Sequence, residues 1–433
     1  MRPWIQAYNT LLAMGAIATA PLWAVVLATK PKHRAGFVQK ATGRVEAGHG
    51  SSPSPVWYHA VSVGEVMASL PLIREILRDF PERALWISTV TAAGQATARA
   101  RVPEAAGVFY FPYDLPWTVD QVIHRLRPGL FITAETEIWP NCIWRLHRQG
   151  VPVALVNGRI SDRSFLWYQV FRVLFGRVLS CFDVLCMQSE ESARRIRAMG
   201  APAQRVTVAG NLKFDQSIPD PVDQRAWRER LGVRETAAVW VAGSTHPGEE
   251  EIILRVFARL RAPHPELQLV LAPRAPERFD EVETLISRMG LGSARRSAMG
   301  TGNGTGSREV ILLDTIGELA QVYSIARMGF VGGSLVPRGG HNPLEVAAHG
   351  LPVLFGPHME NFREIASLLR ESGGAMEVSG EEALERDLSA LLADAQLAAQ
   401  LGARAREALL SQRGAARRTI EVIAPLLERD PWG

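Results

Sequence analysis

The chain has 433 residues, 47% of them hydrophobic and 21% charged, which excludes a disordered or fibrous protein and provides for two or three domains at roughly 100 to 200 residues each. Its formal charge of +4 is unevenly spread: Arg2, Lys30, Lys32, Arg34, Lys40 and Arg44 precede any acidic residue, and the remaining body is slightly acidic, without the basic stripe of a nucleic-acid binder. Three cysteines, Cys142, Cys181 and Cys186, without CxxC spacing, give neither a disulfide framework nor a zinc site.

The first predicted element is apolar. Pro3 to Thr29 carries no charge, and its core, Leu11 to Ala28, rises about 27 Å as a helix, close to the hydrocarbon thickness of a bilayer. The basic cluster that follows it argues against a cleaved signal peptide, because positive residues stay on the cytoplasmic side. Pro21 kinks the helix and keeps an interfacial position open beside a spanning one. The expectation is an uncleaved N-terminal membrane anchor over residues 1–30, with the body in the cytoplasm.

A Gly/Ser/Pro run, Gly48 to Pro55, leads into the body. Short apolar runs then alternate with helical patterns: Val56 to Val61, Ala84 to Val90, Gly107 to Phe111, Leu130 to Ala134, Val151 to Val156, Val184 to Met187 and Val206 to Ala209. Near-continuous apolar strands separated by helices predict a parallel sheet covered on both faces. The segment Asp215 to Asp223, with two prolines, separates them from a second series: Ala238 to Ala242, Leu267 to Ala272, Val310 to Leu313, Met328 to Val331 and Leu351 to Phe355. Two doubly wound α/β domains, over 31–215 and 216–410, are expected to face one another across a cleft, with a closing helix over 411–433. Ser293 to Ser307 reads as a flexible Gly/Ser-rich insertion, and Glu382 to Glu428 as packed helices.

Chemistry concentrates where strands end. In HAVSVGE (His59 to Glu65) a strand runs into a helix, and Glu65 is either a first-turn acid beside a Ser62 cap or a carboxylate placed to take a proton. In AETEIWPN (Ala134 to Asn141), Glu135 and Glu137 read equally as acid/base partners or as capping acids. Lys213, in NLKFD (Asn211 to Asp215), is the one lysine of the body in a chain that otherwise writes its cations as arginine, which suggests a site for a compact ammonium. VAGSTHPGEEE (Val241 to Glu251) forms a small-residue turn with backbone N–H groups suited to phosphate, and Arg274 follows the strand ending at Ala272. VGGSLVPRGGHNPLE (Val331 to Glu345) combines four glycines with Asn342, Pro343 and Glu345 as helix-start residues, and sets His341 and a carboxylate at the same edge. No Walker loop and no HExxH occurs.

Taken together, the apolar N-terminus, HAVSVGE, AETEIWPN, VNGRISDRS (Val156 to Ser164), NLKFD, AGSTHPGEEE and GGSLVPRGGHNPLEVAAHGLPVLFGPHMENF, in order as far as Phe362, closely resemble the bacterial 3-deoxy-D-manno-octulosonic acid (Kdo) transferases. The resemblance implies a GT-B fold of two Rossmann-like domains and inverting, metal-independent transfer of Kdo from CMP-Kdo to a lipid A precursor at the bacterial inner membrane, with no cofactor beyond that donor. It assigns Glu65 as proton acceptor, and Glu135 and Lys213 to transition-state stabilisation. It assigns Pro273, Arg274, Gly317, Glu318, Leu319, Asn342, Pro343, Leu344 and Glu345 to the nucleotide. Arg159 and Arg163 are candidates for acceptor phosphates. The rival readings are a nucleotide-sugar epimerase, another GT-B glycosyltransferase acting on a membrane lipid, or a non-enzymatic nucleotide-sugar-binding membrane protein.

Overall fold

A computed structural model describes residues 3–29, 34, 36–46, 54–216, 222–299 and 309–432. The expected Gly/Ser/Pro entry at 48–53, the middle of the linker at 217–221 and the Gly-rich stretch 300–308 lie outside the described residues, as do Lys30 and Lys32. The chain divides into two units, the first comprising Met1–Gln216 with Arg413–Gly433, the second Ser217–Gln412.

The first unit is a seven-stranded sheet of β1 (Val56–His59), β2 (Leu85–Thr89), β3 (Gly107–Tyr110), β4 (Leu130–Ala134), β5 (Val153–Gly158), β6 (Val184–Met187) and β7 (Val206–Val208). Every pairing is parallel and the order is 3-2-1-4-5-6-7. The chain therefore winds outward from β1 to β3 and returns to the other side at β4, so the crevice at the carboxyl ends of β1 and β4 is a topological switch point. Both faces are covered. Trp57, Phe131 and Leu155 lie in one core, and Tyr58, Ile132 and Val156 in the other, the alternation of pleated strands buried on two sides.

The second unit repeats the plan with β8 (Val239–Thr245), β9 (Gln268–Pro273), β10 (Ser293–Arg295), β11 (Val310–Leu312), β12 (Met328–Val331), β13 (Val353–Phe355) and β14 (Ala375–Glu377), all parallel, in the order 10-11-9-8-12-13-14. Its switch point lies between β8 and β12. Two edge strands were absent from the predicted set. Ser293–Arg295 falls in the stretch expected as a flexible insertion, yet it pairs with β11 through Ala294 and Ile311, and a turn of 3-10 helix, Arg296–Ala298, follows it.

The last helix, Ala415–Leu427, belongs to the first unit. Ile420, Ile423 and Leu427 are buried in one core with Leu72, Ile73 and Ile76 of the helix Val63–Asp79. Each such side chain removed from water contributes roughly 1.5–3 kcal/mol. The helix is capped from a distance: the Asp215 carboxylate accepts from the Gly414 N–H at 2.7 Å and the Ala416 N–H at 2.6 Å, and Arg418 Nε donates to the Ala209 carbonyl at 2.8 Å.

The expected membrane anchor is overturned. Among the described residues no helix is long and apolar enough to cross a membrane. A helix does form over Pro3–Thr29, with Pro21 inside it, but its first two turns are spent on the first unit. Trp4 and Ile5 are buried in a core cluster, and Trp4 meets Trp144 edge to face at 6.4 Å. The Tyr8 hydroxyl donates to Asp114 at 2.9 Å, and Asn9 Oδ1 accepts from Asn141 Nδ2 at 2.7 Å. The N-terminal anchor helix over 1–30, the inner membrane as a partner and the inner-membrane localisation are withdrawn accordingly.

Candidate active site

In the first unit β1 ends at His59, and the chain turns through Ala60 and Val61 into the helix Val63–Asp79. Ser62 caps that helix, its hydroxyl accepting from the Glu65 N–H at 3.4 Å. The Glu65 carboxylate folds back over the cap: Oε2 accepts from the Val61 N–H at 2.7 Å and Oε1 from the Ser62 hydroxyl at 3.1 Å. This is a variant of the capping box, so the structural and the chemical readings of the motif concern one and the same carboxylate. Two bonds leave it acceptor capacity, since an ionised carboxylate offers about four lone-pair sites.

On the other side of the switch point β4 ends at Ala134, and Glu135 follows with φ 56°, a left-handed conformation uncommon for a residue with a side chain. Its N–H still donates to the Val156 carbonyl at 2.9 Å, but the strand's alternation stops there. Thr133 donates from its hydroxyl to the Glu137 carbonyl at 3.1 Å, and Thr136 to the Arg159 carbonyl, which closes the ETE turn onto the VNGR loop. The acids feel one another. Burial, and then the Glu135 and Glu137 charges, push Glu65 up to about 7. Burial and Glu135 push Glu137 up to about 6. A base with a pKa near neutrality is suited to proton abstraction.

His59 has a structural part in the same motif. It is fully buried and stacked on Phe111 at 4.0 Å, its Nδ1 stands 3.0 Å from Ser88 Oγ, and burial lowers its pKa to about 3, so the ring is neutral. Lys213 opens the short helix Lys213–Gln216, which packs against the helix Val63–Asp79 that carries Glu65. Its backbone is set by amides: Asn211 Oδ1 accepts from the Lys213 N–H at 3.0 Å, and Asn157 Oδ1, from the VNGR loop, accepts from the Leu212 N–H at 3.0 Å.

In the second unit the two glycine-rich turns are locked together by a carboxylate that the sequence reading left unassigned. Glu249 is fully buried and accepts from four backbone N–H groups: His246 at 2.9 Å, Gly333 at 2.7 Å, Ser334 at 3.0 Å and Leu335 at 2.9 Å. The amides that a phosphate would use in these turns are thus filled by the chain itself. Close approach of the two turns requires Gly332, where a Cβ would stand 2.4 Å from the Ser244 carbonyl oxygen.

Around this lock lie most of the predicted nucleotide residues. Pro273 ends β9, and the Arg274 N–H donates to the Thr245 carbonyl at 3.0 Å, which draws the exposed Arg274 to the β8 edge. Its charge reaches Glu345, opposing the rise that burial imposes there. Asn342 Oδ1 accepts from the Leu344 N–H at 3.2 Å, so the helix Leu344–Ala347 begins one residue later than predicted, behind Pro343. Leu319 lies under β8, within 2.9 Å of where a Gly243 side chain would start, beside the buried Tyr323 hydroxyl. Gly317 turns with φ 88°, and Glu318 points away to Arg296 at 3.1 Å and to the Thr315 hydroxyl. His246 was also passed over in the sequence reading; it meets His341 Nε2 to Nε2 at 2.9 Å. Among the described residues no group of three or more His, Cys, Asp or Glu side chains is arranged to hold a metal ion.

Residues 30–216 match the protein family described as 3-deoxy-D-manno-octulosonic-acid transferase (kdotransferase). Over 386 residues the chain is 37% identical to 3-deoxy-D-manno-octulosonic acid transferase of Haemophilus influenzae, covering 88% of this chain and 90% of that one. It is 34% identical over 383 residues to the enzyme of the same name from Bordetella pertussis, covering 86% and 87% respectively. Among solved structures, UDP-GlcNAc 2-epimerase of Neisseria meningitidis aligns over 86% of this chain and 100% of its own at a TM-score of 0.59. That pair is 12% identical, and the likeness concerns the fold alone.

Proposed function

The chain belongs to the Kdo transferase family, and from that membership together with the two switch-point sites we infer which residues carry the reaction. The protein is a glycosyltransferase that moves Kdo from CMP-Kdo to a lipid A precursor in lipopolysaccharide biosynthesis. The epimerase alternative has only the shared fold in its favour, at 12% identity, against transferases at 37% and 34%.

In the reading we favour, a hydroxyl oxygen of the acceptor attacks the anomeric carbon of Kdo. The bond from that carbon to the CMP phosphate breaks, its electron pair leaves with the phosphate, and the hydroxyl proton passes to the Glu65 carboxylate. The observation that carries this assignment is the gathering of Glu65, Glu135 and Glu137 at the β1/β4 switch point, with Glu65 held by the Val61 N–H and raised to about 7. Glu135 and Lys213 stabilise charge as the transition state forms. Lys213 supplies the compact cation that a sugar carboxylate or a leaving phosphate calls for. In the second unit Arg274 takes the phosphate, Glu345 the ribose hydroxyls, and Pro273, the 317–319 turn and Asn342 to Leu344 shape the nucleotide pocket. Arg159 is assigned to an acceptor phosphate; the Arg163 side chain lies outside the described residues.

Glu65→Gln tests the central assignment. Loss of a general base lowers transfer by roughly 10²–10⁴-fold, measured as Kdo added to lipid A precursor at saturating CMP-Kdo, while CMP binding to the second unit stays intact. Transfer at the native rate would remove Glu65 from the mechanism.

A further inference from the structure

The β8/β12 switch point holds a pair of side chains that the transfer chemistry above does not use. His246 leaves the end of β8 and His341 the loop after β12, and their rings are parallel to within 4°, with centroids 5.2 Å apart and Nε2 atoms at 2.9 Å. They lie against Gly333, whose φ of 68° and missing side chain make the room: a Cβ there would stand 3.1 Å from His341 Cδ2 and 3.3 Å from His246 Cδ2. Two imidazoles joined in this way share one proton between their Nε2 atoms. One ring donates, the other accepts, and the pair is neutral.

The surroundings hold it neutral. Burial first, and then Arg338, Arg274 and Arg278, lower His246. Burial, Arg274 and His246 lower His341 to about 4. These cations come from each element that frames the pair: Arg274 after β9, Arg278 from the turn Pro276–Arg278, and Arg338 from the loop after β12. The negative charge nearby is committed elsewhere: Glu249 to four backbone amides, Glu345 to its place facing Arg274, and Glu250 and Glu281 to Arg278 at 2.7 and 3.0 Å, so Arg278 is already balanced and Arg274 and Arg338 carry the field at the pair. An uncharged pair beside the Arg274 and Arg338 guanidinium groups lacks a counter-charge of its own, and an arriving anion supplies it. With the guanidinium field offset, the penalty for an imidazolium falls, and an imidazolium hydrogen-bonded to a neutral imidazole gains a charge-assisted bond.

We propose that His246 and His341 form a proton-accepting part of the donor site, taking up one proton from solvent when the nucleotide phosphate sits beside Arg274, so that an imidazolium–imidazole pair faces the bound anion. This rests on the assignment of Arg274 and Glu345 to CMP-Kdo and deepens it. Donor binding then strengthens as the pH falls toward 6, because the bound state holds the extra proton.

The test is calorimetric titration of the whole chain with cytidine 5′-methyl phosphate, a diester whose phosphate does not titrate near neutrality, at about pH 6.5 in buffers of different ionisation enthalpy. The expected uptake approaches about one proton per bound ligand. In His246→Gln and His341→Gln it falls close to zero, with affinity weakened several-fold. Binding without proton uptake in the native protein, or uptake unchanged in both variants, overturns the inference and leaves the donor assignment standing. Failure of both CMP and the diester to bind, or binding indifferent to Arg274→Ala, overturns that assignment and the inference with it.

Discussion

Glu65 combines two functions that are usually separate. Its bonds from Val61 and Ser62 fix the start of the helix Val63–Asp79, and the same bonds stabilise the ionised carboxylate, working against burial and against the charges of Glu135 and Glu137. The balance leaves the group at about 7, so transfer should fall on the acid side of neutrality as Glu65 gains its proton before the acceptor can offer one. The contribution of Glu137 can be separated from the chemistry. Glu137→Gln removes a negative charge and favours ionised Glu65, so the acid limb of kcat/KM moves to lower pH while the rate on the alkaline plateau stays near native. A pH-rate profile in which the limb stays put would show that Glu137 does not act on Glu65. A shift to higher pH would reverse the sign of the coupling.

The elements follow from the sequence where pattern and placement coincide, and depart from it where placement is decided by distant residues. The strand runs from Val56 to Val208 were legible because strands buried on both faces read as continuous apolar segments. Ser293–Arg295 was hidden because a short, half-buried edge strand has no such run, and its pairing with β11 is a matter of backbone. The helix Pro3–Thr29 was read as an anchor because apolarity does not reveal that Trp4, Ile5, Tyr8 and Asn9 are committed to the first unit. Glu65 and Glu135 were visible as acids at strand ends. The pairing of His246 with His341, 95 residues apart, follows no periodicity and is produced by the strand order. The last helix shows the same division: its amphipathic face was evident, its destination was not. Asp215 supplies that address, and Asp215→Ala should cost the first unit about 1–2 kcal/mol by uncapping Ala415–Leu427. The expected signs are a lower melting temperature for the first unit and earlier proteolytic release of the C-terminal helix. Asp215→Asn, which keeps an acceptor oxygen, should lose less.

At the scale of the whole molecule, both units place ionisable groups at a switch point where burial opposes charge, and this sets how stability follows pH. Glu65 at about 7, with Glu137 and Asp114 at about 6, are raised in the fold, so between about 4.5 and 7 the folded chain keeps protons that the unfolded chain has shed. Stability from these groups is fully present below the unfolded value and is lost as pH rises through the folded one. The histidines act in the opposite sense. His59 at about 3 and His341 at about 4 are kept neutral, so the unfolded chain binds more protons up to about pH 6.5 and stability is gained as pH rises to that point. In the first unit three raised carboxylates stand against His59, so stability falls on balance as pH rises from about 4.5, and above about pH 6.5 Glu65 is the one of them still titrating. Glu65→Gln removes the share that Glu65 contributes. The difference in melting temperature between variant and native protein should therefore grow in favour of the variant from about pH 5 to about pH 8, followed by scanning calorimetry of the first-unit transition. A difference independent of pH would mean that Glu65 titrates alike in the folded and unfolded chain, and would remove the electrostatic basis for its action as a base near neutrality.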